Sequence, residues 1–197
     1  MPSQTRESLT YVIEHLEPEV GEWLLIEYTS ASEIVGKEHL LFTNVKNRKD
    51  AKVLSRLGMI EQRSFTEIFK PQQVIILDPK AAIQLKPEDF TGKTAVVIGG
   101  ILGDQPPQAR TQKLLSTHLA NATISNLGKG QFTIDGAAYM AKLVSEGRRL
   151  AQIPVRNALT IKISENHFIR VPYAFPLKNG KPLVHKALLE YLREGRA

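Results

Sequence analysis

Short apolar segments alternate with longer amphipathic segments along most of this 197-residue chain. Such alternation is typical of βαβ units, whose strands lie parallel in one sheet. The predicted strands are Tyr11–Glu14, Leu40–Thr43, Val74–Leu77, Ala95–Ile98 and Ala122–Ser125, and the predicted helices are Glu22–Val35, Arg48–Leu57, Pro106–Leu119 and Ile134–Glu146. The sequence contains no internal repeat, and it predicts an α/β fold with a mostly parallel sheet and helices on both faces.

The pattern changes after Gly147. Three polar residues separate Leu159–Ile163 from His167–Val171, which predicts a β-hairpin, and Leu183–Arg193 predicts a closing helix. We therefore expect a main domain over residues 1–150. The remaining residues, 151–197, are expected to form a small hairpin and helix that pack on the same domain.

Composition and missing motifs exclude several classes of function. The chain has no cysteine, and its five histidines lack metal-ligand spacing, so no metal site is predicted. No apolar run reaches membrane-spanning length and the polar start is not a signal peptide, so we expect a cytoplasmic protein without a membrane partner. Phosphate-loop, zinc-hydrolase and serine-hydrolase motifs are also absent from the sequence.

A glycine-rich segment follows the strand predicted at Ala95–Ile98. Gly99, Gly100 and Gly103 precede Asp104 and a proline-started helix. Glycines let a ligand approach the backbone, and proline is tolerated in the first turn of a helix. The alternative is an ordinary tight strand-to-helix turn, but one glycine usually suffices for that, which favours a ligand-binding loop.

Polar or glycine-rich turns follow four predicted strands, at Glu14-His15, Asp78-Pro79, Gly99–Asp104 and Asn126–Gly130. Open parallel sheets bind ligands beyond the carboxyl ends of their strands, so these turns predict a preformed crevice. Gly128 and Gly130 begin like a dinucleotide-binding motif. However, Thr133 replaces the third glycine and the expected downstream acid is missing, which disfavours a dehydrogenase.

Taken together, these segments resemble one SPOUT-class methyltransferase family, whose yeast member methylates an arginine of a small-subunit ribosomal protein. The matching residues are Tyr11–His15, Glu22-Trp23, Ile26–Tyr28, Leu77–Pro79, Gly99–Asp104, Arg110-Thr111, Leu127-Gly128, Gln131–Thr133 and Asp135. The resemblance extends from about Tyr11 to Glu146 and continues more loosely into the tail. It implies a deep C-terminal trefoil knot, an exception to the rule against threaded chains. It leaves open whether the protein is a monomer or a homodimer.

The resemblance also implies S-adenosylmethionine as the cofactor, bound by the loops after the predicted strands. The cofactor-binding residues that we expect are Leu77, Asp78, Pro79, Gly99, Gly100, Ile101, Leu102, Gly103, Asp104, Asn126, Leu127, Gly128, Gln131, Phe132, Thr133 and Asp135. Backbone amides and apolar side chains suit an adenosine and a methionine moiety. Asp135 has an alternative role, because helix N–H groups alone would satisfy a carboxylate in the first turn.

Glu27 lies within the apolar stripe of the helix predicted at Glu22–Val35, and a carboxylate on a buried face must be paired or functional. Methylation of arginine requires the loss of a guanidinium proton, and carboxylates can grip that group. Glu27, Glu14 and Asp104 are therefore the predicted catalytic residues, although Asp104 could equally cap its helix or bind cofactor. Trp23, a stacking surface, and Arg110 are the predicted substrate-binding residues.

The charge distribution bears on the methyl acceptor. Net charge is +6, yet residues 11–40 hold seven glutamates and one lysine. Basic clusters occur at Lys46, Arg48, Lys49, Lys52 and Arg56, and in the tail at Lys178, Lys181, Lys186, Arg193 and Arg196. We expect arginine methylation of a ribosomal or other RNA-associated protein, with RNA contact through the basic clusters. Methylation of rRNA or tRNA is the alternative. A catalytically inactive knot that binds RNA is a third hypothesis, which the intact glycine loops disfavour.

Overall fold

The structure, a computed structural model, describes residues 9–102, 121–165 and 167–195. Six strands form its main sheet: β1 (Thr10–His15), β2 (Leu40–Thr43), β3 (Met59–Ile60), β4 (Val74–Leu77), β5 (Ala95–Gly100) and β6 (Thr123–Ser125). They lie in the order β3-β2-β1-β5-β4-β6, and every neighbouring pair is parallel. The predicted α/β fold with a mostly parallel sheet is confirmed.

The central strands are buried on both faces, which explains why their sequences are continuous apolar runs. All four residues of β4 are buried, as are the first four of β5. Side chains of β1 alternate between the two faces. Tyr11 and Ile13 join one hydrophobic cluster, whereas Val12 joins the cluster on the opposite face.

Five helices occur in the described residues: α1 (Glu22–Val35), α2 (Arg48–Leu54), α3 (Phe65–Ile68), α4 (Ile134–Ser145) and α5 (Lys186–Arg193). Short 3₁₀ turns lie at Lys37–His39, Pro71–Gln73, Pro87–Phe90 and Leu150–Gln152. Helices α1 and α4 pack together on the Tyr11 face of the sheet. The small residues Ala137, Ala138 and Ala141 of α4 are all buried there. On the Val12 face, the ring of Phe65 in α3 joins the core.

The tail contains five further strands: β7 (Val155–Arg156), β8 (Leu159–Ser164), β9 (His167–Val171), β10 (Phe175–Lys178) and β11 (Lys181–Pro182). Strands β8 and β9 form the predicted antiparallel hairpin. Strands β7, β10 and β11 form a second small antiparallel sheet that was not predicted. Buried tail residues, including Phe175 and Leu188, pack against Trp23 and Ile26 of α1. The division of the chain at residue 150 stays a prediction.

Three differences from the sequence-based prediction affect the site. Gly99 and Gly100 belong to β5 rather than to a loop, because they pair with Glu14 and His15 of β1. Helix α2 ends at Leu54, three residues earlier than predicted. The segments β3 and α3 were missed, since two and four residues are too few to show a hydrophobic period. The helix predicted at Pro106–Leu119 lies outside the described residues.

Candidate functional site

A cleft lies at the carboxyl ends of β4 and β5, beside the start of α4. The space between its walls is about 560 Å³, including the solvent at its mouth. The lining residues are Leu77, Asp78, Pro79, Ile98, Gly99, Ile101, Leu127, Gly130, Gln131, Phe132, Thr133, Ile134 and Ala137. This is the edge of a parallel sheet at which ligands ordinarily bind.

Most of the predicted cofactor-binding residues that the structure describes line this cleft. They are Leu77, Asp78, Pro79, Gly99, Ile101, Leu127, Gln131, Phe132 and Thr133. Gly100, Leu102, Asn126, Gly128 and Asp135 do not line it. Gly103, Asp104 and Arg110 lie outside the described residues. The sequence-based prediction missed four lining residues, Ile98, Gly130, Ile134 and Ala137, although Gly130 belongs to a loop that it had singled out.

Gly100 faces protein instead of the cleft. A Cβ at Gly100 would contact the Tyr28 hydroxyl and would lie 2.8 Å from both Glu14 O and Ile13 Cγ2. The glycine is therefore required by the close approach of α1 and β1. Gly100 therefore has a packing role, and its expected role as a cofactor-binding residue stays a prediction.

Two other predicted binding residues support the cleft wall from behind. The Asn126 side chain accepts the N–H of Gly128 at 2.8 Å and donates to Ala81 O at 2.8 Å, which fixes the loop before α4. The N–H of Leu102 donates to Glu17 Oε1 at 3.0 Å. Both residues therefore shape the backbone next to the cleft.

The cleft wall combines apolar side chains with an unsatisfied polar group. Gln131 Oε1 is buried and accepts no hydrogen bond from any described residue. An unpaired buried acceptor is unfavourable, so this oxygen is suited to a donor on a ligand.

Gly130 has a φ of +114°, and a Cβ there would lie 3.0 Å from the Ala174 Cβ. Both constraints require glycine at that point of the wall.

Glu27 lies behind the cleft, in the interface between α1 and α4. Its Oε1 accepts the Trp23 indole N–H at 2.6 Å, and its Oε2 accepts the N–H of Ile134 at 2.8 Å. Only 4% of its surface is exposed. The pKa of Glu27 is raised to about 8, mainly by burial and also by nearby Asp135, while the two hydrogen bonds oppose the rise. The Glu27 carboxylate thus contacts the Trp23 side chain through one oxygen and the cleft-lining residue Ile134 through the other.

Asp135 is a second buried carboxylate in the same interface. Ser30 donates a hydrogen bond to its Oδ2 at 2.7 Å, and Gly136 N donates to its Oδ1 at 2.8 Å. Burial raises the pKa of Asp135, and hydrogen bonds from Thr133 and Ser30 oppose this effect. Among the described residues, neither Asp135 nor Glu27 forms an ion pair. The α1–α4 interface therefore holds two carboxylates whose charged forms are disfavoured.

Glu14 projects to the opposite face of the sheet. It shares that face with Val12, and its Oε2 accepts hydrogen bonds from the Thr43 hydroxyl and from Phe65 N, the latter at 3.1 Å. Its carboxylate caps the first turn of α3. The structure consequently does not bring Glu14 together with Glu27, contrary to the expectation that both belong to one catalytic group.

His15, at the end of β1, belongs to a buried polar chain beneath the same edge of the sheet. Its Nδ1 lies 3.0 Å from the Tyr28 hydroxyl, which donates to Gly100 O at 3.3 Å. Its Nε2 lies 3.9 Å from Asp50 Oδ2. Burial lowers the pKa of His15, and the negative charges of Asp50 and Glu17 oppose this. His15 contacts Tyr28, and Tyr28 holds Gly100 at the end of β5. The cleft wall continues from that strand end.

In residues 9–102, 121–165 and 167–195, no group of three or more histidine, cysteine, aspartate or glutamate side chains is placed to hold a metal ion. The helices in these ranges are also too short or too polar to cross a membrane.

Comparisons with known proteins identify related sequences and structures. The family model described as "Protein arginine N-methyltransferase SFM1-like" matches residues 10–197. Protein arginine N-methyltransferase SFM1 of Saccharomyces cerevisiae is 32% identical over 206 residues, with 96% of each chain covered.

Solved structures show the same relationship. The yeast arginine methyltransferase SFM1 complexed with SAM superposes with a TM-score of 0.87 at 29% identity, covering 95% of this chain and 91% of that one. Its complex with SAH gives a TM-score of 0.86 over 93% and 94% of the two chains, also at 29% identity. Dual-specific Trm10 from Thermococcus kodakaraensis has a TM-score of 0.56 at 16% identity, covering 72% and 95%, and shares the fold.

Proposed function

The chain belongs to the SFM1-like family of protein arginine N-methyltransferases, and we propose that it transfers a methyl group from S-adenosylmethionine to an arginine side chain of a protein. The observation that carries this proposal is the position of the cleft, which lies directly against the interface that buries Glu27. Ile134 therefore contacts both the cleft and a carboxylate suited to guanidinium chemistry.

The residues of the cleft fit S-adenosylmethionine. Leu77, Ile98, Ile101 and Leu127 offer apolar contacts, and Gln131 Oε1 offers an acceptor to a ligand donor. These are the contacts that an adenosine with an attached amino acid requires, and no phosphate-binding loop is needed. When bound, the cofactor would supply an electrophilic methyl group on a positively charged sulfur.

Glu27 is proposed to orient the substrate guanidinium and to accept its proton. Arginine is protonated in water, so a proton must leave around the time that the new N–C bond forms. A general base works best when its pKa lies near the working pH, and burial raises the pKa of Glu27 to about 8. When deprotonated, the carboxylate also carries the charge that a guanidinium pairs with.

Trp23 is proposed to position Glu27 and to contact the substrate. Its indole N–H holds Glu27 Oε1 at 2.6 Å, and its ring packs edge-to-face on Tyr191 with centroids 6.0 Å apart. The ring is half-buried, so part of its surface is available to a cation. Asp104 and Arg110 keep their proposed roles, whereas Glu14 is assigned to the capping of α3.

The acceptor is proposed to be a ribosomal or other RNA-associated protein, and the working compartment is proposed to be the cytoplasm. The net charge of +6 supports a partner near RNA.

A trefoil knot also belongs to the proposal. Its support is the strand order, in which β6 lies beside β4 on the side away from β5.

Incubation of the purified protein with tritiated S-adenosylmethionine and a cell lysate tests the proposed function. We expect label that survives nuclease, is released by protease and appears in methylarginine on amino-acid analysis. Label in nucleosides would instead favour RNA methylation. Absence of S-adenosylmethionine binding in calorimetry would contradict both activities and favour an inactive RNA-binding protein.

A further inference from the structure

Helix α2 and the residues beside it present a cationic surface, which we name the α2 basic face and define as Lys46, Arg48, Lys49, Lys52 and Arg56. All five side chains are exposed. Arg48, Lys52 and Arg56 follow one another at intervals of four, so they lie along one side of the helix and of the turn after it. The opposite side of α2 is buried through Leu54 and Asp50.

The positive charge of this face is not neutralised within the described part of the chain. No carboxylate there lies within ion-pair distance of any of the five side chains. The only acid between Lys46 and Arg56 is Asp50, which is 7% exposed and accepts the N–H of Val20 at 3.3 Å. Five cations therefore face solvent within eleven consecutive residues, a concentration that strongly attracts polyanions.

Hydrogen bonds connect helix α2 with the segment that lies next to the cleft wall. Asp50 of α2 holds Val20 in the segment between β1 and α1. Glu17 of that same segment accepts the N–H of Leu102 at 3.0 Å, and Leu102 follows the cleft-lining Ile101. Helix α2 and the backbone next to the cleft are therefore both held by the segment between β1 and α1.

The chemistry of the face fits a phosphodiester backbone. Such a backbone is recognised by lysine and arginine alone, without apolar anchors. A membrane would require an apolar helix face, but the apolar side of α2 is buried in the protein and Val53, 38% exposed, is its one exposed large apolar side chain. An acidic protein surface would usually add aromatic or apolar anchors, and α2 contains no aromatic residue.

We propose that the α2 basic face binds the phosphate backbone of RNA that surrounds the methyl acceptor. The choice of RNA as the polyanion rests on the proposed function, in which the acceptor is an RNA-associated protein. The protein would then hold its substrate at two places, the arginine in the catalytic cleft and the neighbouring RNA on α2.

Fluorescence anisotropy with a labelled RNA stem-loop tests the inference in the full-length protein over a range of salt concentrations. We expect the K49E/K52E variant to bind at least about tenfold more weakly at low salt, and its log K against log[salt] plot to be shallower by about two. The matched control is K162E/R170E, which changes the net charge equally at two exposed positions of the β8–β9 hairpin outside the basic clusters and should keep the wild-type slope.

Three results would overturn the inference: no RNA binding by the unmodified protein, equal loss in the control variant, or displacement of RNA by polyglutamate as readily as by unlabelled RNA. The last result would indicate an acidic protein partner. Methyl transfer to an isolated acceptor protein, measured in parallel, should be unchanged in K49E/K52E. If the proposed function is wrong, the unmodified protein will show no methyl transfer but can still bind RNA. If the further inference is wrong, methyl transfer will remain and the expected loss of RNA binding in K49E/K52E will be missing.

Discussion

The carboxylate of Glu27 accepts the backbone N–H of Ile134 at 2.8 Å, and Ile134 lines the cleft. One residue of α4 therefore touches both the cofactor cleft and the carboxylate proposed to serve the substrate. This contact joins α1 to the first turn of α4. Displacement of Glu27 would consequently move the wall of the cleft as well as the carboxylate.

Glu27→Gln should lower turnover by roughly 10²-fold, because the amide cannot accept a proton and lacks the charge that pairs with a guanidinium. Cofactor affinity should remain near the wild-type value, since Gln retains an oxygen that can accept the Ile134 N–H. Methyl transfer under saturating cofactor and calorimetry of cofactor binding measure the two effects.

Glu14→Gln is the matched control for that substitution. Glu14 is equally buried but lies on the opposite face, where it accepts hydrogen bonds from Thr43 and Phe65. Its replacement should reduce the free energy of unfolding by about 1–3 kcal/mol and leave turnover largely intact. Equal losses of turnover in the two variants would remove Glu27 from its proposed role.

The pKa of Glu27 also predicts how stability depends on pH. A carboxyl with a folded-state pKa of about 8, against 4.5 in the unfolded chain, binds more protons when folded between these values. The free energy of unfolding should therefore fall as pH rises through this window. Asp135, whose pKa is also raised, contributes a fall of the same sign.

Urea denaturation of the wild-type protein and of Glu27→Gln across that pH range would measure this dependence. The free energy of unfolding of the variant should decline less steeply with pH, because Asp135 is then the one buried carboxyl of the pair whose pKa is raised. Identical slopes would show that Glu27 does not titrate with a raised pKa.

Gln131→Ala should weaken binding of S-adenosylmethionine by about tenfold, which corresponds to the loss of one hydrogen bond. The reason is that Gln131 lines the cleft and its buried Oε1 has no partner among the described residues. Gln84→Ala is the control, since Gln84 is exposed and does not line the cleft. Unchanged affinity in Gln131→Ala would contradict the proposed contact between this oxygen and the cofactor.

Gly100→Ala should destabilise the protein by about 1–3 kcal/mol, as overpacking does, because the new Cβ would crowd Tyr28, Ile13 and the backbone of Glu14. Gly21→Ala provides the comparison. A Cβ at Gly21 meets no atom within 4 Å, and the loss of glycine at this N-cap should cost less than about 1 kcal/mol. Thermal melting of the two variants would show whether Gly100 is a packing residue, and equal melting temperatures would contradict it.

Much of the sheet could be predicted from the sequence because its buried strands are continuous apolar runs such as Val74–Leu77. The burial of Glu27 could also be predicted, since helical periodicity places it beside Tyr28 on the apolar stripe. Periodicity does not show which strand side chains face the cleft, and for that reason Glu14 was grouped with Glu27 although it lies on the opposite face of the sheet. Its neighbours Thr43 and Phe65 are 29 and 51 residues away in the chain.

The glycine segment shows a second limit of sequence reasoning. Gly99 and Gly100 are adjacent and identical in type. However, Gly99 lines the cleft, whereas Gly100 packs against Tyr28. Composition alone does not distinguish a glycine that admits a ligand from one that admits a neighbouring helix. The unpartnered oxygen of Gln131 likewise depends on the tertiary arrangement of its loop.

Trp23→Phe should shift the ascending limb of the turnover-against-pH profile toward higher pH. The indole N–H of Trp23 stabilises the charged form of Glu27, so its removal raises the pKa of that carboxyl further above about 8. A proposed base must be deprotonated to accept the arginine proton, and a higher pH is then needed for the same activity. Tyr191→Leu is the control, because it removes the edge-to-face contact with Trp23 but keeps the indole N–H. A shift of equal size in both variants would assign the effect to the packing of Trp23, and an unshifted Trp23→Phe profile would contradict the proposed coupling to Glu27.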